Sequence, residues 1–234
     1  MSWQGPLSLA RHALDLLVPE SCPGCGRPGS LCRECKMELA RLPQRVSPRA
    51  GGRAPVWACG NYSGAVRELI LAAKERDSGM ARQLVGEVLG AAIRHFIAAG
   101  EIMPPQITPI VLIPAPTRLS SRLRRGGDPM SAACAQIAAT LPRTSVEKLV
   151  RTSQRAVDSA GLSAAGRREN LSGRIVPTLP VGSQKHQDLR LRCAQATVVL
   201  VDDIVTTGAT IAETELVAAS LGIRLDLVLV LARA

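Results

Sequence analysis

The run Val198 to Thr210 reads Val-Val-Leu-Val-Asp-Asp-Ile-Val-Thr-Thr-Gly-Ala-Thr, and it constrains this chain more than any other stretch. Four apolar residues predict a buried strand. Two adjacent carboxylates follow at its carboxyl end. Small, hydroxyl-bearing residues around Gly208 then lead into a helical pattern. A continuous apolar strand followed by a short loop and a helix is a building unit of parallel α/β sheets. In open sheets of that kind ligands bind at the carboxyl ends of strands. A loop of small residues opening a helix offers unpaired backbone N–H groups to a phosphate. The acids can hold sugar hydroxyls while the loop cradles a phosphate on the same sugar, a combination that a ribose 5-phosphate group requires. The plainer reading is a strand ending in two solvated acids before an ordinary helix cap. Asp-Asp alone fits that reading; Asp-Asp followed by Thr-Thr-Gly-Ala-Thr does not.

Alternation continues along the chain. Strands are expected at Val56 to Tyr62, Ile107 to Ile113, Val146 to Val150, 198–201 and Leu225 to Leu231. Helices are expected from Ala65 to about Glu75, Met80 to Ala99, Met130 to about Leu141, around Ala164 to Leu171, and from about Ala209 to Leu221. Residues 43–55, with Pro43, Pro48, Gly51, Gly52 and Pro55, read as a linker. Residues 177–195 read as a long polar loop. The fold class expected is α/β, a mainly parallel sheet with helices on both faces. Two units follow: residues 1–42, an N-terminal helix and cysteine knuckle, and residues 56–234, the α/β domain.

Cys22-Pro-Gly-Cys25 and Cys32-Arg-Glu-Cys35 are two C-x-x-C pairs. Each pair can clasp one metal from a tight turn, and four thiolates complete a tetrahedron, which reads as a closed structural zinc site. Two disulfides or redox pairs are the other readings. A cytosolic setting disfavours disulfides, and redox chemistry needs only one such pair. Cys59, Cys134 and Cys193 sit in apolar surroundings and read as small buried hydrophobes.

The net charge of +10 suits anionic substrates or nucleic acid, without selecting between them. With two Trp, one Tyr and one Phe, the chain can build only a poor base-stacking platform, so nucleic-acid contacts would lean on arginine and phosphate. Leu7 to Val18 is interrupted by Arg11, His12 and Asp15. It reads as a short amphipathic helix rather than a signal or a span, so a cytoplasmic protein without membrane insertion is expected. His12, His95 and His186 have no metal or triad spacing.

The Val198–Thr210 run closely resembles the 5-phosphoribosyl-1-diphosphate (PRPP) motif of type I phosphoribosyltransferases. By that resemblance Asp202 and Asp203 contact the ribose hydroxyls, and Thr206, Thr207, Gly208, Ala209 and Thr210 wrap the 5′-phosphate. The order of motifs widens the likeness. The cysteine knuckle comes first, then Tyr62-Ser-Gly64 leading to Lys74, and then Pro114-Ala-Pro116 with its arginine loop. Arg151-Thr-Ser-Gln154 follows, then Arg167-Arg-Glu-Asn170-Leu-Ser-Gly173, and last the PRPP motif. Together these resemble the ComF family of competence-associated phosphoribosyltransferase-like proteins. One departure is plain: Arg125-Gly126-Gly127-Asp128-Pro129-Met130 stands where relatives often carry Arg-Gly-Phe-Asn-Gln. Arg151, Gln154, Arg167 and Asn170 either line the acceptor side or brace the sheet edge.

The resemblance implies Mg²⁺ with the diphosphate, structural Zn²⁺ on the cysteines, and transfer of a phosphoribosyl group to an unidentified acceptor. The backbone from Ala115 and the arginines Arg118, Arg122, Arg124 and Arg125 are candidates for the diphosphate, since arginine grips phosphate in a planar fork. An exposed, merely solubilising loop is the other reading. Lys74 is a further candidate, or a surface lysine favoured by a helix end. The contrasting function is a non-catalytic PRPP- or nucleotide-sensing module. It would act with single-stranded DNA or DNA-uptake proteins as partners.

Overall fold

The computed structural model describes residues 21–50, 52–74, 76, 78–116, 128–153 and 175–234. The expected helices at Leu7 to Val18 and Ala164 to Leu171 and the arginine loop lie outside the described residues.

After the cysteine turn come α1 (Arg33–Leu39), β1 (Gln44–Val46), β2 (Val56–Asn61), α2 (Gly64–Lys74) and α3 (Gly79–Ala98). The chain continues with β3 (Ile110–Pro114), α4 (Pro129–Thr140), β4 (Thr144–Val146), β5 (Val150–Thr152) and β6 (Ile175–Pro177). It closes with α5 (Gln184–Ala194), β7 (Thr197–Val205), α6 (Ala209–Ser220) and β8 (Leu227–Arg233). Six strands form one sheet in the order β1-β2-β8-β7-β3-β4; β5 and β6 form a separate antiparallel pair. Every neighbour in the large sheet is parallel except β1, which runs antiparallel to β2.

Alternation along the strands divides the core in two. Val199 and Val201 of β7, with Leu229 and Leu231 of β8 and Ile110 and Leu112 of β3, point to one face. There they meet Leu69 and Ile70 of α2, Leu89, Ile93 and Phe96 of α3, and Ile137 of α4. Val198, Leu200, Val228, Val230, Val111 and Ile113 point to the other, where Ile211 and Ala218 of α6 and Leu189 and Cys193 of α5 cover them. Successive strand residues face opposite ways, so an unbroken apolar run requires cover on both faces, as the sequence implies. Each fully buried Leu or Ile contributes about 1.5–3 kcal/mol. Cys22, Cys35 and Leu39 belong to the first of these cores, so the cysteine knuckle is packed on the α/β body.

Four expectations are corrected. Residues 43–55 are no linker: they hold β1, and Arg53 and Ala54 are tied to α6 by hydrogen bonds to Glu215. Residues 177–195 are no loop, because Gln184–Ala194 is helical. Ser183 caps that helix by accepting the His186 N–H, and His186, Leu189 and Cys193 are buried along one side. The strand expected at 146–150 is two strands, β4 and β5, in different sheets. The strand expected at 198–201 runs on to Val205, because β8 extends far enough to pair Asp202 with Val230, Ile204 with Ala232 and Val205 with Arg233. Cys59, Cys134 and Cys193 are buried, as expected.

From β3 the chain moves outward to β4, whereas from β7 it moves the opposite way to β8. The order thus reverses between β3 and β7, and open α/β sheets take ligands outside the carboxyl ends of the strands at such a reversal. No helix among the described residues is long and apolar enough to cross a membrane.

Candidate functional site

Asp202 and Asp203 lie within β7 near its carboxyl end, on one of the two strands that flank that reversal. Adjacent strand residues point to opposite faces. Asp203 meets α2: its carboxylate is ion-paired with Nζ of Lys74, the last residue of that helix. The pair is mostly withdrawn from solvent, with side-chain exposures of 25% for Lys74 and 22% for Asp203. Two residues singled out separately in the sequence are thus brought together.

Asp202 is held differently. Its Oδ1 accepts the Asp203 N–H at 2.8 Å. Burial, reinforced by the Asp203 charge, pushes its carboxyl up to about 7, against the pull of that N–H and of Lys74. Asp128 adds a further negative field. Desolvation and a like charge both favour the protonated form. Asp128 itself caps α4, accepting the N–H groups of Met130 at 3.2 Å and Ser131 at 3.5 Å and the Ser131 hydroxyl at 2.8 Å. Sequence reasoning gave Asp128 no place at the site, although Asp before Pro at a helix start is a readable cap.

The turn after β7 is built on Gly208, which has φ +86° and opens α6. Thr206, Thr207, Ala209 and Thr210 are exposed around it. Ala209 donates its N–H to Thr207 Oγ1 at 3.3 Å. The N–H groups of Thr206, Gly208 and Thr210 form no hydrogen bond among the described residues. Helix starts leave such donors unmatched and carry a partial positive charge, so the turn suits an anion.

Ala115, a candidate for backbone contact with a diphosphate, is buried and its N–H is committed to the Val201 carbonyl at 2.8 Å. Pro116, the next residue, has no N–H to offer. Arg118, Arg122, Arg124 and Arg125 lie outside the described residues, as do Gln154, Arg167 and Asn170; Arg151 is exposed on β5. At the neighbouring strand ends, Arg233 donates Nε to Asn61 Oδ1 at 2.7 Å.

A second constellation lies at the knuckle. The Sγ atoms of Cys22, Cys25, Cys32 and Cys35 all lie within 4.8 Å of one another and could hold a metal ion. The seven cysteines are free thiols. A tetrahedron with metal–sulfur distances of about 2.3 Å separates its sulfurs by about 3.8 Å, and Cys25 and Cys32 are 3.8 Å apart. Burial opposes ionisation of Cys22, but the main-chain N–H groups of Cys32, Gly24 and Cys25 outweigh it and bring the thiol down to about 6. Burial and the neighbouring thiols hold Cys35 up. Crowded thiols that resist joint ionisation are what a cation relieves. Gly24 is needed there: a Cβ would stand 2.7 Å from Cys35 Sγ.

No family model matches the chain, and no curated protein matches it.

Proposed function

We propose that this chain is a phosphoribosyltransferase-like protein of the ComF type. It binds PRPP at the carboxyl end of β7 and transfers the phosphoribosyl group to an acceptor with release of diphosphate. The observation that carries the reading is the conjunction at one strand end of Asp202, the Asp203–Lys74 pair and a glycine turn with unmatched N–H groups. Carboxylates accept from vicinal hydroxyls, and a helix-opening turn takes a phosphate. The order of motifs along the chain supports the type I phosphoribosyltransferase fold, and the mainly parallel sheet with its reversal of strand order between β3 and β7 is compatible with it.

In this reading Asp202 and Asp203 hold the ribose and the Thr206–Thr210 turn holds the 5′-phosphate. Lys74, so close to the acids, neutralises charge on the departing diphosphate. Positioning the sugar and stabilising the leaving group are the protein's main contributions to such a displacement. Among the described residues the only cluster of three or more metal-ligating side chains is the cysteine set. Mg²⁺ therefore fits as an ion carried in by the diphosphate, a usual arrangement for this cation. The cysteine set fits structural zinc: four sulfur donors in a closed site with no position left for substrate.

The test is titration of metal-replete protein with PRPP and Mg²⁺, with diphosphate release followed in the same sample. Saturable binding with diphosphate release on addition of an acceptor bears the proposal out; no binding at millimolar PRPP overturns it. Binding without release under any acceptor favours the sensing module, with DNA or DNA-uptake partners reading the occupied pocket.

A further inference from the structure

Between β1 and β2, Pro48 and Ala50 lie against the turn before α6, and Arg53 and Ala54 lie against α6 itself. Ala50 donates its N–H to the Thr207 carbonyl at 2.7 Å. Farther along, the N–H groups of Arg53 and Ala54 donate to the Glu215 carboxylate at 2.6 and 2.9 Å. Three main-chain donors thus fasten one segment to the turn before α6 and to the middle of that helix. The approach at the turn is close: a Cβ on Gly208 would lie 2.5 Å from the Ala50 carbonyl oxygen and 2.8 Å from Pro48 Cβ.

The Thr207 carbonyl and the Gly208 N–H belong to one peptide plane. In a trans peptide they point in opposite directions. Drawing the carbonyl toward Ala50 therefore aims the Gly208 N–H away from the segment, and that N–H has no acceptor among the described residues. Turning the peptide over would break the Ala50 bond and drive the Gly208 N–H toward the segment's backbone.

We infer that Pro48–Ala50 is a positioning element for the anion turn: the Ala50 N–H locks the Thr207–Gly208 peptide so that the Gly208 N–H faces a bound phosphate monoester. The inference rests on the proposed reading of Thr206–Thr210 as a phosphate turn and names what orients it. Ala50 itself touches no ligand. Its effect is to preset a donor, and a preset donor needs no rearrangement when the charge arrives. The segment lies more than 150 residues upstream of the turn, so no local pattern in the Val198–Thr210 run contains this contact.

The experiment uses the full chain, metal-loaded, with ribose 5-phosphate as the probe. Ala50→Pro removes the N–H; Ala50→Ser keeps it. Affinity is read by calorimetry and the Gly208 amide resonance by ¹⁵N spectroscopy. The expected result is binding with a shifted Gly208 resonance for wild type and Ala50→Ser, and for Ala50→Pro at least tenfold weaker binding with the shift lost. Equal affinity and an equal Gly208 shift in Ala50→Pro would overturn the inference and leave the phosphate-turn reading standing. Absence of wild-type binding overturns both. Should Ala50→Pro fail to fold, hydrogen exchange of the Ala50 amide in wild type decides the matter. Saturation with ribose 5-phosphate slows it at least tenfold if the bond and the ligand support each other, and unchanged exchange overturns the inference.

Discussion

Glu38 of α1 accepts the N–H of Ala65 at 3.1 Å and so caps the first turn of α2, the helix whose last residue, Lys74, is paired with Asp203. The knuckle and the acid pair are therefore joined through a single eleven-residue helix. Gly24 packs between Cys35 and Ala65 at the same junction.

Removing the metal should be felt along that path. Cys22→Ser, or a strong chelator applied to wild type, should release one equivalent of zinc and destabilise the knuckle, with faster amide exchange at Ala65. Elemental analysis and exchange measurements check this. One equivalent of zinc retained by Cys22→Ser would contradict the ligand assignment.

Asp202→Asn combined with Asp203→Asn should abolish PRPP binding in a protein that still folds. Each lost charge-assisted hydrogen bond is worth about 1.5–3 kcal/mol, so calorimetry should show at least a hundredfold loss. Unchanged affinity in the folded double variant would remove the acids from the site.

Asp202 also makes stability depend on pH. Its carboxyl keeps a proton up to about 7 in the folded chain, against 3.8 as the ordinary value. Between those two values the folded state binds more protons than the unfolded state, so stability falls as pH rises. Below about 4 the penalty is absent, and above about 7 it is complete. Asp202→Asn should therefore gain stability relative to wild type as pH climbs from 4 to 8. Urea unfolding across that range measures it, and a pH-independent difference would count against the buried carboxyl.

Lys74→Met removes the cation that draws Asp202 downward. The pH midpoint for ligand binding should move up, and PRPP should bind at least tenfold more weakly, since a charge-assisted contact is lost. Titrations at several pH values separate the two effects. An unmoved midpoint would show that Lys74 acts on the ligand alone.

His186 clasps α5 to the end of α6. Its Nδ1 accepts the Gly182 N–H at 3.0 Å, so Nε2 is the protonated nitrogen and donates to the Leu221 carbonyl at 2.9 Å. His186→Ala leaves both main-chain groups without partners and should cost about 1–3 kcal/mol. Denaturant midpoints would show it, with PRPP affinity unchanged.

The parts that could be read from sequence are those with a strong local pattern. Val198 to Val201 has no polar face, which demanded a sheet covered on both sides. The two C-x-x-C pairs predicted one sulfur cluster by spacing. What escaped reading was set by distant partners. Asp202 and Asp203 interrupt an apolar run and look like a strand's end, yet β8 carries the pairing past them. Helix α5 turns only His186, Leu189 and Cys193 inward among polar residues, too faint a stripe to stand out. Nothing in Pro48 or Ala50 announces a contact with Thr207, and neither Lys74 nor Asp203 names the other.

The two border strands of the six-stranded sheet, β1 and β4, are three residues each, whereas β7 at the centre has nine. Such a tapering outline leaves almost no row of open main-chain donors and acceptors at either margin, and Arg45 puts an exposed positive charge on one of them. Long bare margins are where separate copies zip together into insoluble ribbons. Among the described residues, the shortness of these outermost strands, together with that charge, gives the strand of another copy little to pair with.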